Sequence, residues 1–114
     1  MNTEEEATMI VTTTSSIEGH RIVEYKGLVS STAIHGIAVG KDIKALGRNI
    51  TGGRATVYED ELERGQGETM AELEAAAEKL GANAIVGVSI DSEGIGTNGS
   101  MLLVTMTGTA VVIE

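Results

Sequence analysis

The stretch ATVYEDELERGQGETMAELEAAAEKL, residues 55–80, decides the fold because it keeps the spacing of a single amphipathic helix. At 100° per residue, its apolar and small residues fall within an arc of about 80°. These residues are Tyr58, Leu62, Gly65, Thr69, Leu73, Ala76 and Leu80. Four acidic residues fall on the opposite face, as is typical of a solvated surface: Asp60, Glu63, Glu74 and Glu78.

Two glycines interrupt this pattern, and each costs about 1 kcal/mol relative to alanine in an exposed helix interior. A helix that ended at the glycines would have no reason to keep its phase, so the pattern predicts one long helix from Ala55 to Leu80. Gly65 lies on the apolar arc, where a missing side chain lets a neighbouring backbone approach, and Gly67 points to the charged face. The alternative is a second, shorter helix that starts at a Thr69-x-x-Glu72 capping box.

Strand patterns flank the helix on both sides. The β-branched run at residues 8–14 predicts a first strand, and the alternating segment 21–31 predicts a second. Residues 32–50 contain scattered glycines and predict an irregular or weakly helical connection. After a helix C-cap at Gly81, a strand follows at residues 85–90, and Asn98-Gly99 predicts a tight turn.

The last strand has the clearest alternation in the chain. One face collects apolar residues: Leu102, Val104, Met106, Ala110 and Val112. The other face collects Thr105, Thr107 and Thr109. The fold class is therefore α+β, with one long helix packed on a mainly antiparallel sheet. Residues 1–7 are expected to form a frayed N-terminus, and residues 8–114 a single domain.

The composition predicts a light core. The 114 residues include no Phe, Trp or Pro, and Tyr25 and Tyr58 are the only aromatic side chains. Aliphatic side chains must supply the burial that aromatic rings usually dominate. A subunit of this size gains stability by burying surface against copies of itself, so self-association is expected.

The charge balance of 8 basic and 17 acidic residues, with a net charge of -9, argues against nucleic acid or an anionic membrane as a partner. The chain has no cysteine, which excludes disulfides, thiolate catalysis and sulfur-rich metal sites. No stretch approaches the roughly 20 apolar residues of a membrane span, and the acidic start differs from a secretory signal. We therefore expect a cytoplasmic protein.

The best candidate for a ligand site is the segment ITGGR, residues 50–54, before the expected helix. Free amides at a helix start and the Arg54 guanidinium could together bind a phosphate or carboxylate. The segment lacks the features of a P-loop or a dinucleotide fingerprint. Gly52 and Gly53 are therefore interpreted first as a tight turn at the helix entrance, and Arg54 could equally pair with a neighbouring subunit.

The residues offer little for catalysis or metal binding. His20 and His35 are fifteen residues apart and lack the spacing that places two ligands on one helix face. His20 is expected in a turn, and His35 as a packed or surface residue. No catalytic residue, resident metal or cofactor is predicted, although carboxylates could surround a hard cation at an oligomer interface.

Four segments together resemble the YbjQ-like family, which carries the label of a heavy-metal-binding domain: IEGHRIVEYKGLVSS, ITGGRATVYEDEL, LGANAIVGVSID and GSMLLVTMTGTAV. The resemblance covers about residues 12–112. It implies a dodecin-like subunit that assembles into a ring, usually a homopentamer. The family's glycine-arginine and tyrosine-glutamate motif maps onto Gly52, Gly53, Arg54, Tyr58 and Glu59. Its second motif maps onto Leu80, Gly81, Ala82, Ala84, Val86 and Gly87.

Three functional hypotheses follow. The first is a non-enzymatic homo-oligomeric ring that binds a small anion, another ligand or a partner at its subunit interfaces, with Gly52, Gly53, Arg54, Tyr58 and Glu59 as the candidate residues. The alternative is a metal-binding or metal-buffering protein that combines carboxylate and histidine ligands from different subunits. The third is an enzyme that uses Arg54, Tyr58 and Glu59 at a subunit boundary.

Overall fold

The computed structural model describes residues 9–36 and 50–114, with side chains described from residue 58 onward in the second range. Its elements are strand β1 (Ile10–Val11), strand β2 (Ile22–Gly36), helix α1 (Ile50–Lys79), strand β3 (Ala84–Ile95), a 3-10 turn (Thr97–Gly99) and strand β4 (Met101–Ile113). The expected frayed end lies outside the described residues.

The four strands form one mixed sheet in the order β1-β3-β4-β2. Strand β1 pairs in parallel with β3, with Ile10 opposite Ala84. Strands β3 and β4 are joined by a turn too short for a parallel crossover, so they are antiparallel. Arg21 and Glu114 exchange both backbone hydrogen bonds, at 3.3 and 3.0 Å, which is the antiparallel pattern between β2 and β4. The α+β prediction is confirmed, with one parallel pair at the β1 edge.

The contacts of the fold group into two compact units. The first unit contains β1, β2 as far as Ser31, α1 from Met70, β3 as far as Ile90, and β4 from Met106. The second contains β2 from Thr32, α1 as far as Thr69, the end of β3 from Asp91, and β4 as far as Thr105. The helix and three strands thus contribute residues to both units.

Helix α1 is one continuous element of 30 residues, as the phase of its apolar residues predicts. From residue 58 onward its buried residues lie at every fourth position: Gly65, Thr69, Leu73 and Ala77. The capping-box alternative is wrong, because the Thr69 hydroxyl donates to the Gly65 and Gln66 carbonyls inside the helix, at 2.9 and 3.1 Å. Leu80 is exposed because the helix ends before it.

Gly81 ends the helix as predicted. It has a φ of 85°, which a side chain disfavours. Its amide donates to the Glu78 carbonyl at 2.9 Å, and the Ala82 amide donates to the Ala77 carbonyl at 3.1 Å. These two bonds are those of a Schellman motif, which satisfies carbonyls at the helix end and turns the chain into β3.

The first unit has apolar clusters on two surfaces of its strands. One cluster joins the end of α1 to the strands: Val29, Leu73, Ala77, Ala82, Ile85, Val88, Met106 and Ala110. The other joins Ala84, Val86, Val111 and Ile113, with Ile17 and Ile22 packed against them. The second cluster explains why Val111 is buried and Val112 is not, contrary to the predicted face of β4.

The second unit has a smaller apolar cluster. Leu102 and Val104 of β4 are buried, and Tyr58 and Leu62 of α1 pack against them. The β3–β4 turn lies in this unit, and Asn98 and Gly99 both have left-handed φ values of 57° and 64°. The predicted Asn-Gly turn is therefore confirmed.

Strand β2 is longer than the sequence predicts. It continues through Gly36, so the expectation of an irregular connection is wrong for residues 32–36. Between Leu28 and Ile34 the exposed and buried residues alternate strictly, as in a strand covered on one face. Small and polar residues such as Ser31 and Ala33 occupy the buried positions, which weakens the apolar signal. Residues 37–49 of the expected connection lie outside the described residues.

Two glycine substitutions in α1 should change stability in opposite directions. A Cβ at Gly65 would lie 2.9 Å from Cγ2 of Val104, a buried and stiff side chain, whereas a Cβ at Gly67 would meet nothing within 4 Å. We expect Gly67→Ala to stabilise by about 0.5–1 kcal/mol through helix propensity. Gly65→Ala should destabilise, because overpacking costs about 1–3 kcal/mol. Urea unfolding of both variants measures this, and a stabilised Gly65→Ala protein would refute the close approach.

Candidate functional site

The prediction of a tight turn at Gly52 and Gly53 is wrong. Helix α1 begins at Ile50, so Gly52, Gly53 and Arg54 lie inside the helix and not in a turn before it. Glycine tolerates helical dihedral angles as readily as turn angles, and the cost of about 1 kcal/mol per residue does not end a long helix that tertiary contacts hold. Side chains of residues 50–57 lie outside the described part, so anion binding by Arg54 stays a prediction.

Tyr58 and Glu59 do not converge on a common site. The Tyr58 ring is half-buried against Leu102 and Val104. Its hydroxyl reaches the β3–β4 hairpin, where a Cβ on Gly94 would lie 2.5 Å from the hydroxyl oxygen. Glu59 is exposed. Tyr58 therefore packs the helix against the hairpin, while its neighbour faces away from that contact.

The structure instead assembles a cluster around His35. The His35 Nδ1 atom lies 3.0 Å from Glu61 Oε1, and its Nε2 atom lies 2.9 Å from Glu68 Oε1. Arg64 is a further member, with its Nη1 atom 3.5 Å from Glu61 Oε2. The His35 side chain is only 13% exposed, whereas the Glu68 side chain is 53% exposed. The two hydrogen-bond distances thus place each ring nitrogen of His35 against a different carboxylate.

The secondary structure explains how these side chains meet. His35 follows the alternation of β2, in which the odd-numbered residues Val29, Ser31 and Ala33 are buried. On α1, Glu61 and Glu68 are seven residues apart, so they lie on one face two turns apart. Gly65 lies between them, and a Cβ there would be 3.7 Å from His35 Cδ2. The bare backbone at Gly65 thus leaves a recess in which the imidazole lies between the two carboxylates.

The two carboxylates favour the charged form of the ring. The hydrogen bond to Glu68 raises the pKa of His35 above its ordinary value of 6.5, and the hydrogen bond to Glu61 adds to this. Partial burial opposes the increase because it penalises the charged ring. The carboxylates thus stabilise an imidazolium.

Sequence reasoning missed Glu61 and Glu68 because it considered only the four acidic residues opposite the apolar arc and assigned no role to these two. It also left His35 in an irregular connection. The available signal was the pattern Glu61–Gly65–Glu68, in which two acids flank a glycine on one helix face. The expectation that His20 is a turn residue is confirmed, because its amide donates to the Ile17 carbonyl at 3.1 Å.

These features define a small α+β protein whose described residues form a long helix on a four-stranded mixed sheet, with an acid-flanked histidine. The chain belongs to the YbjQ family, whose model is described as "Putative heavy-metal-binding" and matches residues 9–114. The predicted family is therefore confirmed. Among the helices that the structure describes, none combines the length and the apolar character needed to cross a bilayer.

Similar proteins agree with this family and fold. UPF0145 protein lwe0170 of Listeria welshimeri is 51% identical over 106 residues, which is 93% of this chain and 96% of the relative. UPF0145 protein lmo0208 of Listeria monocytogenes has the same identity and coverage. A crystal structure of a DUF74 family protein of unknown function from Pediococcus pentosaceus matches with a TM-score of 0.67 and 22% identity, covering 93% of this chain and 98% of the other. That likeness shows the fold.

The described residues do not fit a heavy-metal site within one chain. The chain has no cysteine, and within residues 9–36 and 50–114 no group of three His, Cys, Asp or Glu side chains is placed to hold an ion. His35 cannot hold one ion with both acids, because its two ring nitrogens point in different directions and each meets a different carboxylate. A thiolate-rich or histidine-rich centre is the arrangement that a soft metal prefers.

The contact between Tyr58 and the hairpin can be tested with a double-mutant cycle. Gly94→Ala should destabilise the protein by roughly 1–2 kcal/mol, because the new methyl group collides with the tyrosine hydroxyl. In a Tyr58→Phe background the same change should cost much less, because the next neighbours of the methyl group lie 3.8 and 3.9 Å away. Denaturant unfolding of the four proteins gives the coupling energy. Equal costs in both backgrounds would contradict the contact.

Proposed function

We propose that the protein is a non-enzymatic homo-oligomer that binds a small ligand or a partner at the interfaces between its subunits. The observation that carries this proposal is the exposed edge of the sheet at β2. This strand has 15 residues and stands last in the strand order, so in the described part of the chain no other strand pairs with its outer edge.

A long edge strand presents unpaired backbone donors and acceptors to any strand of suitable length. Proteins protect such edges with short strands, charges or covering loops. Strand β1, at the opposite edge, has only two residues. Strand β2 instead exposes large apolar side chains: Tyr25 is 70% exposed, Leu28 85% and Ile34 55%. Association of two copies along β2 would cover these side chains and would give the backbone N–H and C=O groups of the edge hydrogen-bond partners.

The light core supports the same proposal. Among the described residues, the largest fully buried side chains include no aromatic ring and are led by Leu73, Ile85 and Met106. A domain of this size buries only about two thirds of its unfolded surface, so burial between copies contributes comparatively more stability. The family resemblance suggests the form of the assembly, a dodecin-like ring of five subunits.

A ring would repeat each surface residue around one axis and could build a ligand site that one subunit lacks. In this proposal a small anion is the ligand, and the candidate residues at the interface remain Gly52, Gly53, Arg54, Tyr58 and Glu59. The expected absence of nucleic acid and membrane partners rests on the net charge of -9. The cytoplasmic location stays a prediction.

Metal binding is the alternative, and the description of the family model favours it. Within residues 9–36 and 50–114 no three His, Cys, Asp or Glu side chains are grouped around one point, so this alternative combines carboxylate and histidine ligands from several copies. Hard cations accept such oxygen ligands, whereas soft metals prefer sulfur and imidazole. In this form the alternative also involves an oligomer.

Leu28→Lys should weaken the assembly without unfolding the subunit. A lysine at an exposed position of one chain changes stability by no more than about 0.5 kcal/mol, but it places a charge in any interface that covers β2. Native mass spectrometry of untagged protein, purified without a chelator, should show several subunits for the parent and fewer for the variant. Leu80→Lys is the matched control, because Leu80 is exposed but lies outside β2.

A monomeric parent protein would refute the oligomer, and a loss of assembly in the Leu80→Lys control would refute the role of β2. A reproducible extra mass on the assembly would identify the ligand. An extra mass that matches a metal ion would favour the alternative over the proposed small anion.

A further inference from the structure

We propose that His35 is a protonated structural cation that acts as a pH-dependent latch, holding the end of β2 on the middle of α1 through Glu61 and Glu68. The latch belongs to a single chain, so this proposal does not depend on whether the protein forms an oligomer.

The geometry requires two donors on one imidazole ring. The distances of 3.0 Å from Nδ1 to Glu61 and 2.9 Å from Nε2 to Glu68 are both hydrogen-bond distances. Neutral imidazole has one N–H group and one nitrogen lone pair, so it can donate to only one carboxylate. The other nitrogen would then place its lone pair against carboxylate oxygens. The imidazolium form donates to both and removes this repulsion.

Among the side chains that the structure describes, none that carries a positive charge contacts the ring directly. In the part of the chain that the structure describes, the charged groups facing the ring are the carboxylates of Glu61 and Glu68, both on α1. Arg64 pairs with the second oxygen of Glu61 at 3.5 Å. From β4 the nearby side chain is Val104, which is buried and apolar and contacts the same recess at Gly65. The described groups that contact the ring are therefore acidic or apolar.

The position of His35 in the chain gives the latch its consequence. His35 is the next-to-last residue of β2, and its partners lie at two points of α1 separated by seven residues. Charge-assisted hydrogen bonds to two sites on a rigid helix restrict the end of the strand more than a single bond would. Loss of the proton removes at least one of the two bonds and releases this restraint.

The direction of the pH dependence follows from linkage. The folded state raises the pKa of His35 above its unfolded value of 6.5, chiefly through the bond to Glu68. The latch therefore contributes its full stability at pH values below the unfolded pKa of 6.5, where the ring is protonated in both the folded and the unfolded state. That contribution is lost as the pH rises through the folded pKa. Mildly alkaline conditions should loosen the end of β2.

The test uses the full chain labelled with nitrogen-15 and follows the imidazole resonances of His35 by NMR as the pH rises. The only other histidine is His20, so a His20→Gln variant assigns the His35 signals. We expect both ring nitrogens to be protonated at pH 6.5, with a titration midpoint above that pH. Glu68→Gln should lower the midpoint most, and Glu61→Gln should also lower it.

Glu63→Gln is the matched control because it removes the same charge from an exposed position of α1. Its effect on the midpoint should be smaller than that of either latch residue. If Glu63→Gln lowers the midpoint as much as Glu61→Gln or Glu68→Gln, the His35 midpoint depends on the overall charge and not on specific hydrogen bonds. That result would overturn the proposal. A neutral His35 ring at pH 6.5 would also overturn it.

Amide hydrogen exchange tests the conformational consequence. After correction for the intrinsic pH dependence of exchange, protection at residues 33–36 should fall as the pH passes the His35 midpoint. Protection at residues 84–86 of the first unit should not follow that midpoint. In Glu68→Gln the loss of protection should move to lower pH with the titration. If the exchange protection of residues 33–36 does not change as His35 loses its proton, the latch is refuted, even if the ring itself titrates as expected.

Discussion

The row of small and apolar residues at every fourth position of α1 is the constraint on which the structure depends. Gly65, Thr69, Leu73 and Ala77 form this row, and only Leu73 carries a large side chain. A chain without Phe or Trp cannot fill a wide gap between helix and sheet, so its helix must lie close to the strands. Because Gly65 has no side chain, the helix surface has a recess at this position, and the imidazole ring of His35 packs against it. Core packing and the candidate site therefore have a common origin.

The sequence predicts those parts of the fold that depend on repeated patterns. The phase of α1 survives two glycines because tertiary packing along one face outweighs a local cost of about 1 kcal/mol per glycine. The Gly81 cap and the Asn98-Gly99 turn were found because each needs a left-handed backbone that few residues adopt. Elements that rest on a weak local signal were missed. The end of β2 is one of these, because Ser31, Ala33 and His35 occupy its inward positions.

The candidate site was less predictable than the fold because its members are ordinary in their local contexts. Glu61 and Glu68 look like two more acids on a solvated helix, and nothing in the sequence connects them to a histidine more than 25 residues away. The predicted glycine-arginine motif had a strong local appearance, yet it lies within the first turns of the helix. The motif was interpreted on the assumption that paired glycines interrupt a helix. In this protein the helix of 30 residues continues through both Gly52 and Gly53.

The acid-flanked histidine also bears on how the family description applies to this chain. A histidine can act as a metal ligand only through a nitrogen lone pair, and a carboxylate that binds its proton competes with the metal for that nitrogen. His35 faces such a carboxylate at both nitrogens. In a chain with 17 acidic and 8 basic residues, this arrangement supplies an internal cation where two carboxylates of α1 approach β2. The electrostatics of the fold thus explain the position of this histidine, and in this arrangement neither ring nitrogen of His35 is directed at a shared metal position.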